Sequence, residues 1–172
     1  MLRNFADMET ADGSRKKDYV FYLGRYSEEK GIRTLLKVCR NLPEIPFVFA
    51  GSGDLENLVN AAPNVENVGF LSGEALSRKI AEARFTIFPS ECYENCPFSV
   101  MESVLNATPV IGTNAGGVPE LIEEGKTGEL FQAGDEEELT QKVKALWQAR
   151  ERCEKYVENC KTVHFEYIGR IL

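Results

Sequence analysis

The side chains best suited to chemistry are two cations and two carboxylates that lie far apart in the sequence. Arg25 and Lys30 belong to a glycine-flanked stretch, residues 24–31, whereas Glu94 and Glu102 lie downstream, separated by seven residues. An arginine guanidinium offers a planar fork of donors for phosphate, and a lysine ammonium offers a compact charge. Carboxylates accept hydrogen bonds from sugar hydroxyls. These four side chains together suit a ligand that carries both phosphate and sugar groups.

Pro97 marks the start of a helix that would complete such a site. Proline suits the first helical position because its missing N–H is not needed there. The free backbone N–H groups that follow, near Phe98 and Ser99, can hold a phosphate at the positive end of the helix dipole. Glu94 precedes this helix and Glu102 lies inside it. Two carboxylates would therefore flank the phosphate, one suited to a ribose and one to a hexose.

Structural explanations for the same residues stay open. Residues 28–40 have the pattern of an amphipathic helix, for which Ser27 suits the N-cap. Arg25 and Lys30 would then be ordinary surface charges near a helix start, and Glu102 an ordinary helix residue. The opposite charges of the two loops favour a shared site for the carboxylates, whereas both explanations remain for the cations.

A third loop and the cysteines give weaker signals. Gly116 and Gly117, in the loop at residues 113–120, indicate either a plain tight turn or backbone close to a ligand. Cys92 and Cys96 have the spacing Cys-x3-Cys without further ligands. We therefore interpret them as small packing residues rather than as a metal or redox site.

A sheet must position these loops, and short apolar runs predict its strands. Continuous apolar runs without alternation fit strands that are buried on both faces, as in a parallel sheet. The clear runs are residues 19–23, 47–50, 85–88 and 109–112, and the weaker ones are 65–68 and 128–131.

Helical patterns lie between the predicted strands, at residues 28–40, 73–84, 98–105 and 135–149. This alternation predicts an α/β fold, a Rossmann-like, doubly wound six-stranded parallel sheet in the order 3-2-1-4-5-6. Strands 1 and 4 are neighbours in that order, and ligands bind outside the carboxyl ends of strands at such a switch point. The loops that carry the cations and the carboxylates would therefore meet.

Composition argues against several classes of function. The 172 residues suffice for one domain with a hydrophobic core. The net charge of −7 argues against a nucleic-acid partner, and one histidine, His164, gives little support to a histidine-based metal site or triad. No apolar run reaches the roughly 18 residues of a membrane span, and residues 1–18 lack a signal-peptide core. We expect a cytoplasmic protein with its five cysteines reduced.

Several short motifs occur in order over roughly residues 18–150. They are Gly24-Arg25 with Lys30-Gly31, Gly51-Ser52-Gly53, Val68-Gly69-Phe70, Pro89-Ser90, Glu94-x7-Glu102, Thr108-Pro109-Val110-Ile111 and Gly116-Gly117-Val118-Pro119-Glu120. One such motif would carry little weight, but the whole series in register is specific. Together the motifs resemble the C-terminal, donor-binding domain of retaining GT-B glycosyltransferases of the group 1 type, also called family GT4.

The resemblance implies a role for each matched residue. Arg25, Lys30 and Glu94 would be catalytic. The two cations would contact the donor diphosphate and stabilise the leaving nucleotide, and Glu94 would contact the sugar near the reacting carbon. Glu102 would hold the ribose hydroxyls. Further donor contacts would come from Gly24, Gly69, Phe70, Cys96, Pro97, Phe98 and Ser99.

The resemblance also implies the type of reaction, a retaining, metal-independent transfer from a nucleotide-diphosphate sugar, with UDP favoured as the nucleotide. We expect no metal and no cofactor, because two cations neutralise the diphosphate and the sequence has no clear Asp-x-Asp site. The segment after Glu102 departs from the family pattern Glu-Ala-x-Ala-x-Gly, since Leu105 and Ala107 replace smaller residues. We predict that Asn106 forms the left-handed helix end that glycine would otherwise supply.

The resemblance covers one of the two domains of such an enzyme. We divide the chain into a linker at residues 1–17, a nucleotide-sugar-binding domain at 18–150 and a C-terminal helical segment at 151–172. The last segment would return to a missing N-terminal, acceptor-binding domain. We therefore expect a piece of a longer enzyme, inactive alone, that begins in an interdomain linker near Asn4 and Phe5.

The last segment is more apolar than a terminal tail needs, which predicts an exposed surface or self-association. Its apolar residues are Tyr156, Val157, Phe165, Tyr167, Ile168 and Ile171. Peripheral membrane association of the full enzyme also stays open.

Two other classes of function compete with a transferase. A dinucleotide-dependent oxidoreductase would need Gly-x-Gly-x-x-Gly after the first strand, where this chain has Gly24-Arg25-Tyr26. A non-catalytic nucleotide-sugar-binding or interaction module remains an alternative, because a fold does not determine a function.

Overall fold

A parallel six-stranded sheet forms the centre of the structure, a computed structural model that describes residues 16–163. The strands are β1 (Val20–Leu23), β2 (Phe47–Ala50), β3 (Val65–Asn67), β4 (Phe85–Phe88), β5 (Val110–Thr113) and β6 (Gly128–Phe131). Their order is β3-β2-β1-β4-β5-β6, and neighbouring strands are parallel. The predicted fold class and strand order are confirmed.

Helices cover both faces of this sheet. They are α1 (Ile32–Asn41), α2 (Glu56–Ala61), α3 (Gly73–Glu82), α4 (Phe98–Leu105), α5 (Val118–Leu121), α6 (Glu136–Gln148) and α7 (Arg150–Cys160). Val20 and Tyr22 belong to the same core cluster as residues of α1 and α6, whereas Phe21 packs with Ile80 of α3 on the other face. Successive side chains of a strand point to opposite faces. Burial on both faces is therefore why the strand sequences are apolar without alternation.

The position of β1 determines which loops meet. In register, Leu23 of β1 pairs with Ala50 of β2, and Val20 pairs with Phe85 of β4. The three strands run in the same direction, so their carboxyl ends lie at one edge of the sheet. The loops that follow β1, β2 and β4 consequently leave the sheet side by side.

Helix α1 begins at Ile32 rather than at residue 28, and the prediction that Ser27 is its N-cap is wrong. The N-cap is Gly31, whose φ of 75° is left-handed. A Cβ at Gly31 would lie 2.0 Å from the carbonyl oxygen of Pro89. Only glycine meets both conditions, and the chain therefore turns through residues 27–31 before the helix starts. The Oγ of Ser27 is buried without a hydrogen-bond partner.

Sequence periodicity missed the two shortest helices, α2 and α5. Neither is long enough to show a clear apolar stripe at the helical period. The patterns at 73–84, 98–105 and 135–149 correspond to α3, α4 and α6. None of the helices in residues 16–163 has both the length and the apolar character that a membrane span requires.

The end of α4 differs from the prediction. The prediction that Asn106 forms a left-handed helix end is wrong, because its φ is −91°. The left-handed residue is Ala107, which has a φ of 57°. The side chain of Asn106 instead closes the helix, since its Nδ2 donates to the carbonyl oxygen of Glu102 at 2.8 Å.

The C-terminal helix α7 packs on the same domain. Tyr156 and Val157 are buried, so the prediction that they contribute exposed apolar surface is wrong. The other apolar residues of that segment, the start of the predicted linker and His164 lie outside the described residues. Lys17, predicted as linker, already pairs with Glu82 of α3 at 3.0 Å.

The predicted cap Ser27 and the observed cap Asp135 lead to different expectations for stability. Replacing Ser27 with alanine should leave the free energy of unfolding unchanged or slightly higher, because its buried hydroxyl has no partner to lose. Asp135 does cap α6, with its carboxylate accepting from the N–H of Glu138 at 3.0 Å. Asp135→Ala should therefore cost about 1 kcal/mol in chemical denaturation. Equal losses in the two variants would contradict the turn at residues 27–31.

Candidate functional site

A cleft of about 520 Å³ opens at the carboxyl edge of the sheet, next to the ends of β1 and β4. Most residues that the sequence predicts for the site line this cleft. They are Gly24, Arg25, Lys30, Phe70, Glu94, Pro97, Phe98, Ser99 and Glu102. The structure thus brings together cations and carboxylates from distant loops, whereas the role of each residue stays a prediction.

Two of the predicted site residues are not part of the lining. Gly69 precedes Phe70, and its carbonyl oxygen accepts from the N–H of Gly51 at 2.9 Å. Cys96 points toward α4, where its Sγ lies 3.3 Å from the Sδ of Met101. Both residues support the wall of the cleft, and Cys96 packs as the sequence analysis expected of a small residue.

The central charge contact in the cleft joins Lys30 to Glu94. The ammonium forms an ion pair and hydrogen bond with Oε1 of the carboxylate, and the side chains are 28% and 19% exposed. The same oxygen lies 3.4 Å from the Oγ of Ser90 and 3.5 Å from the Sγ of Cys92. An ammonium has three donors. Lys30 can therefore bind a further anion while it keeps Glu94 in place.

Arg25 contributes a second cation to the same cleft. Its backbone is held by Tyr22, whose hydroxyl donates to the Arg25 carbonyl oxygen at 2.7 Å. Burial raises the pKa of the Tyr22 phenol, so the hydroxyl remains a neutral donor. The side chain of Arg25 is exposed and forms no ion pair within residues 16–163. Its guanidinium is available to an anion in the cleft.

The first turn of α4 presents unused donors to the cleft. The N–H groups of Val100 and Met101 donate to the carbonyl oxygen of Pro97, at 3.1 and 3.3 Å. The N–H groups of Phe98 and Ser99 have no acceptor among the described residues. Free N–H groups at a helix start bind anions well, since the helix dipole adds positive potential there.

Glu102 lies one turn further along α4 and also lines the cleft. Its side chain is half-buried, and this burial raises the pKa of its carboxyl group above the ordinary value. Among residues 16–163 it has no ion-pair partner. The carboxylate therefore loses solvation on folding without compensation from the chain itself.

The loop at residues 113–120 supports the loop at residues 89–97, here called the carboxylate loop because it carries Glu94. The N–H of Gly117 donates to the carbonyl oxygen of Glu94 at 2.8 Å. A Cβ at Gly117 would lie 1.7 Å from the carbonyl oxygen of Asn95. This glycine is required for close approach to another loop. The structure thus gives the paired glycines a reason that the sequence analysis did not name, which is close backbone contact with another loop of the protein.

The sequence analysis missed part of the lining. The loop after β2, Gly51-Ser52-Gly53, lines the cleft, as do Ser90, Leu71 and Leu76. The sequence did carry a signal for this glycine-rich loop. Since β2 was predicted to lie beside β1 in a parallel sheet, the loop after β2 must leave the sheet at the same edge as the loop after β1. The leucines carried no such signal, since apolar residues near strand ends usually belong to the core.

The cysteines are all free thiols. Cys92 and Cys96 are half-buried in the carboxylate loop, whereas Cys39, Cys153 and Cys160 are buried. Burial raises the pKa of Cys160 to about 12, which makes its thiol unreactive at neutral pH. Within residues 16–163, histidine, cysteine and acidic side chains do not form a group of three or more suited to a metal ion.

Comparison with known proteins identifies relatives of this chain. The family model described as glycosyl transferases group 1 matches residues 7–163. A sulfoquinovosyl transferase of Arabidopsis thaliana is 36% identical over 148 residues, which cover 82% of this chain and 29% of that protein.

Solved structures show the same fold. Anabaena HepE in complex with UDP superposes with a TM-score of 0.76 at 19% identity, over 94% of this chain and 47% of that one. The sucrose-phosphate synthase of Thermosynechococcus elongatus gives a TM-score of 0.76 at 22% identity, over 94% of this chain and 43% of that one. The chain spans less than half the length of these relatives.

Gly117→Ala tests the contact that supports the carboxylate loop. Gly117 has a φ of −85°, which alanine adopts readily, so only the clash with the Asn95 carbonyl opposes the substitution. We expect a loss of about 3 kcal/mol in chemical denaturation, because a backbone oxygen cannot swing away. Gly125→Ala is the comparison, since its Cβ would have open space and only its left-handed φ of 80° is strained. That strain should cost about 1 kcal/mol, and an equal or larger loss than for Gly117→Ala would contradict the contact.

Glu102→Gln tests the cost of the half-buried carboxylate. Because its pKa is raised on folding, the folded chain binds the proton more tightly than the unfolded chain, and stability falls as the pH rises through the folded value. The variant should therefore have a higher Tm than wild type at pH 7.5, and this gain should shrink as the pH falls toward the ordinary glutamate pKa of 4.5. The exposed Glu120→Gln is the control. A gain that is absent at pH 7.5 would refute the cost assigned to Glu102.

Proposed function

Because this chain belongs to the group 1 glycosyl transferases, as the match over residues 7–163 shows, we propose that its cleft binds the nucleotide-diphosphate sugar donor of a glycosyl transfer. One observation carries the proposal. Arg25, Lys30, the free N–H groups of α4 and the carboxylate of Glu102 line one cleft at the switch point between β1 and β4. A diphosphate that bears two sugars needs this combination of donors and acceptors.

The cations and the N–H groups would act on the leaving group. Glycosyl transfer breaks the bond between the reacting sugar carbon and the diphosphate oxygen, and the electron pair leaves with the nucleoside diphosphate. Arg25, Lys30 and the N–H groups of Phe98 and Ser99 would lie where that negative charge develops, which is where electrostatic stabilisation accelerates a reaction most. This arrangement supports transfer without a metal ion.

The carboxylates would orient the two sugars. Glu102 would accept hydrogen bonds from the ribose hydroxyls, and Glu94 would contact the donor sugar near the reacting carbon. The ion pair between Lys30 and Glu94 couples these tasks, since one side chain neutralises the diphosphate while it holds the carboxylate of the other. Retention of configuration is part of the proposal and rests on the family resemblance.

UDP is our proposal for the nucleotide. HepE, whose structure contains UDP, shares the fold of this chain. The exposed ring of Phe70, 77% accessible at the edge of the cleft, would border the base together with the backbone near Gly69. Adenine and guanine nucleotides are the alternatives that the experiment below separates.

The complete reaction would need a further domain. The chain spans 29% of the sulfoquinovosyl transferase and 47% of HepE, and we propose that an acceptor-binding domain belongs to the same cytoplasmic enzyme. In isolation the 172-residue chain would bind donor without transferring sugar. If the longer protein also fails to transfer sugar while it binds the donor, the function is that of a non-catalytic binding module.

A thermal-shift panel with UDP-glucose, GDP-mannose and ADP-glucose tests donor binding. Donor at about 100 times its Kd should stabilise the fold by about 2.7 kcal/mol, and UDP-glucose should give the largest shift. The shift should persist in EDTA if the cations suffice. Arg25→Ala and Lys30→Ala should abolish it, because each removes a positive charge from the diphosphate position.

Controls separate loss of binding from loss of folding. Arg25→Ala should melt like wild type without ligand, since its side chain is exposed. Lys30→Ala should melt slightly lower, since Glu94 loses its partner. The exposed Lys144, which does not line the cleft, provides a matched cation whose alanine variant should retain the full shift. A donor shift that survives both cleft variants would refute the assigned roles.

A further inference from the structure

We propose that Asn67 is a positioning residue for the donor, which holds the wall of the cleft formed by the loops after β1, β2 and β3. The inference rests on the proposed function, and it assigns a residue that does not itself line the cleft. Asn67 is the last residue of β3, at the edge of the sheet, and lies behind that wall.

The side chain of Asn67 uses its full hydrogen-bonding capacity. Its Oδ1 accepts from the hydroxyl of Tyr26 at 2.8 Å and from the N–H of Gly69 at 3.0 Å. Its Nδ2 donates to the Oε1 of Glu56 at 3.1 Å and to the Oδ1 of Asn60 at 2.8 Å. An asparagine amide has two acceptor and two donor positions. The backbone N–H of Gly69 can only donate, so it must face the amide oxygen, and this fixes the orientation of the amide.

These bonds join three loops into one wall. The N–H of Tyr26 donates to the carbonyl oxygen of Ser52 at 2.9 Å, which links the loops after β1 and β2. The N–H of Gly51 donates to the carbonyl oxygen of Gly69 at 2.9 Å, which links the loops after β2 and β3. The Asn67 amide bonds to the loop after β1 through Tyr26 and to the loop after β3 through Gly69, so it links these two loops directly.

The wall carries residues on which donor binding depends. Tyr26 directly follows Arg25, and Gly69 directly precedes Phe70, so a shift of either bonded group moves a residue that lines the cleft. Tyr26 is fully buried, and burial raises the pKa of its phenol. Its hydroxyl is a neutral donor that needs an acceptor in the interior. Removing the amide would leave this hydroxyl and the Gly69 N–H unpaired, and both loops would move to regain partners.

Asn67→Ala tests the inference through donor affinity. We measure the Kd by calorimetry at 15 °C, far below the melting transition, with UDP-glucose, GDP-mannose and ADP-glucose, and compare the donor that binds wild type best. We expect about a tenfold rise in Kd, because small displacements of positioning groups are costly. Asn57→Ala, on the exposed side of α2, is the matched control and should bind like wild type.

A conservative rescue separates positioning from general destabilisation. Asn67→Asp keeps acceptors for Tyr26 and Gly69 but places a carboxylate against Glu56, so it should also bind weakly. Adding Glu56→Gln supplies an amide donor to the new carboxylate. The double variant should recover most of the wild-type affinity. Both of its residues differ from wild type, and its negative charge lies at position 67 instead of position 56.

The outcomes distinguish this inference from the proposed function. If wild type binds none of the three donors, the proposed function fails. If wild type binds and Asn67→Ala melts lower but keeps the same Kd, the residue is merely structural and the inference is overturned. A double variant that binds no better than Asn67→Asp would equally overturn it, whereas weak binding by both single variants with recovery in the double variant supports it.

Discussion

Direct contact between the backbones of neighbouring loops is the constraint on which the cleft depends. Gly31 lies against the Pro89 carbonyl and Gly117 against the Asn95 carbonyl, at distances that leave no room for a side chain. The first contact brings the loop after β1 onto the loop after β4, and the second brings the loop after β5 onto that same loop. The ion pair between Lys30 and Glu94 follows from them, although the two residues are 64 positions apart. Without these glycines, the charged groups would line two separate loops instead of one site.

The half-buried charge of Glu102 opposes the stability of the fold rather than supporting it. Glu102 is desolvated by folding and receives no cation from the described part of the chain, so its ionised form raises the free energy of the folded state. Natural proteins keep such costs mainly at functional positions, where stability and activity compete. The opposite holds for Asp135, which caps α6 and serves the fold alone. The two acidic residues therefore have opposite effects on folding, since Glu102 destabilises the folded state and Asp135 stabilises it.

Local sequence patterns predicted the elements that are defined by burial, such as the strands. They failed at positions where the contact of one loop with another decides the structure. Strands buried on both faces leave continuous apolar runs, so the sheet, its order and the meeting point of the charged loops could be read from the sequence. The start of α1 could not, because Ser27 has the chemistry of a cap while the contact of Gly31 with a distant loop decides where the helix begins. The amide of Asn67 gave no signal either, since its partners meet only in the folded chain.

The two sides of the cleft have different physical foundations. On the α4 side, the free N–H groups of the helix N-terminus and the ammonium of Lys30, held against Glu94, suit any diphosphate, whichever base it carries. On the other side, neutral hydrogen bonds centred on Asn67 shape the wall that ends in Phe70. Electrostatic attraction to phosphate varies little with the base, whereas the position of a wall decides which ring fits. Under the proposed function, selectivity among nucleotides would therefore reside mainly in the wall that Asn67 supports. A change of donor could then evolve in that wall without altering the charges that we propose to act on the leaving group.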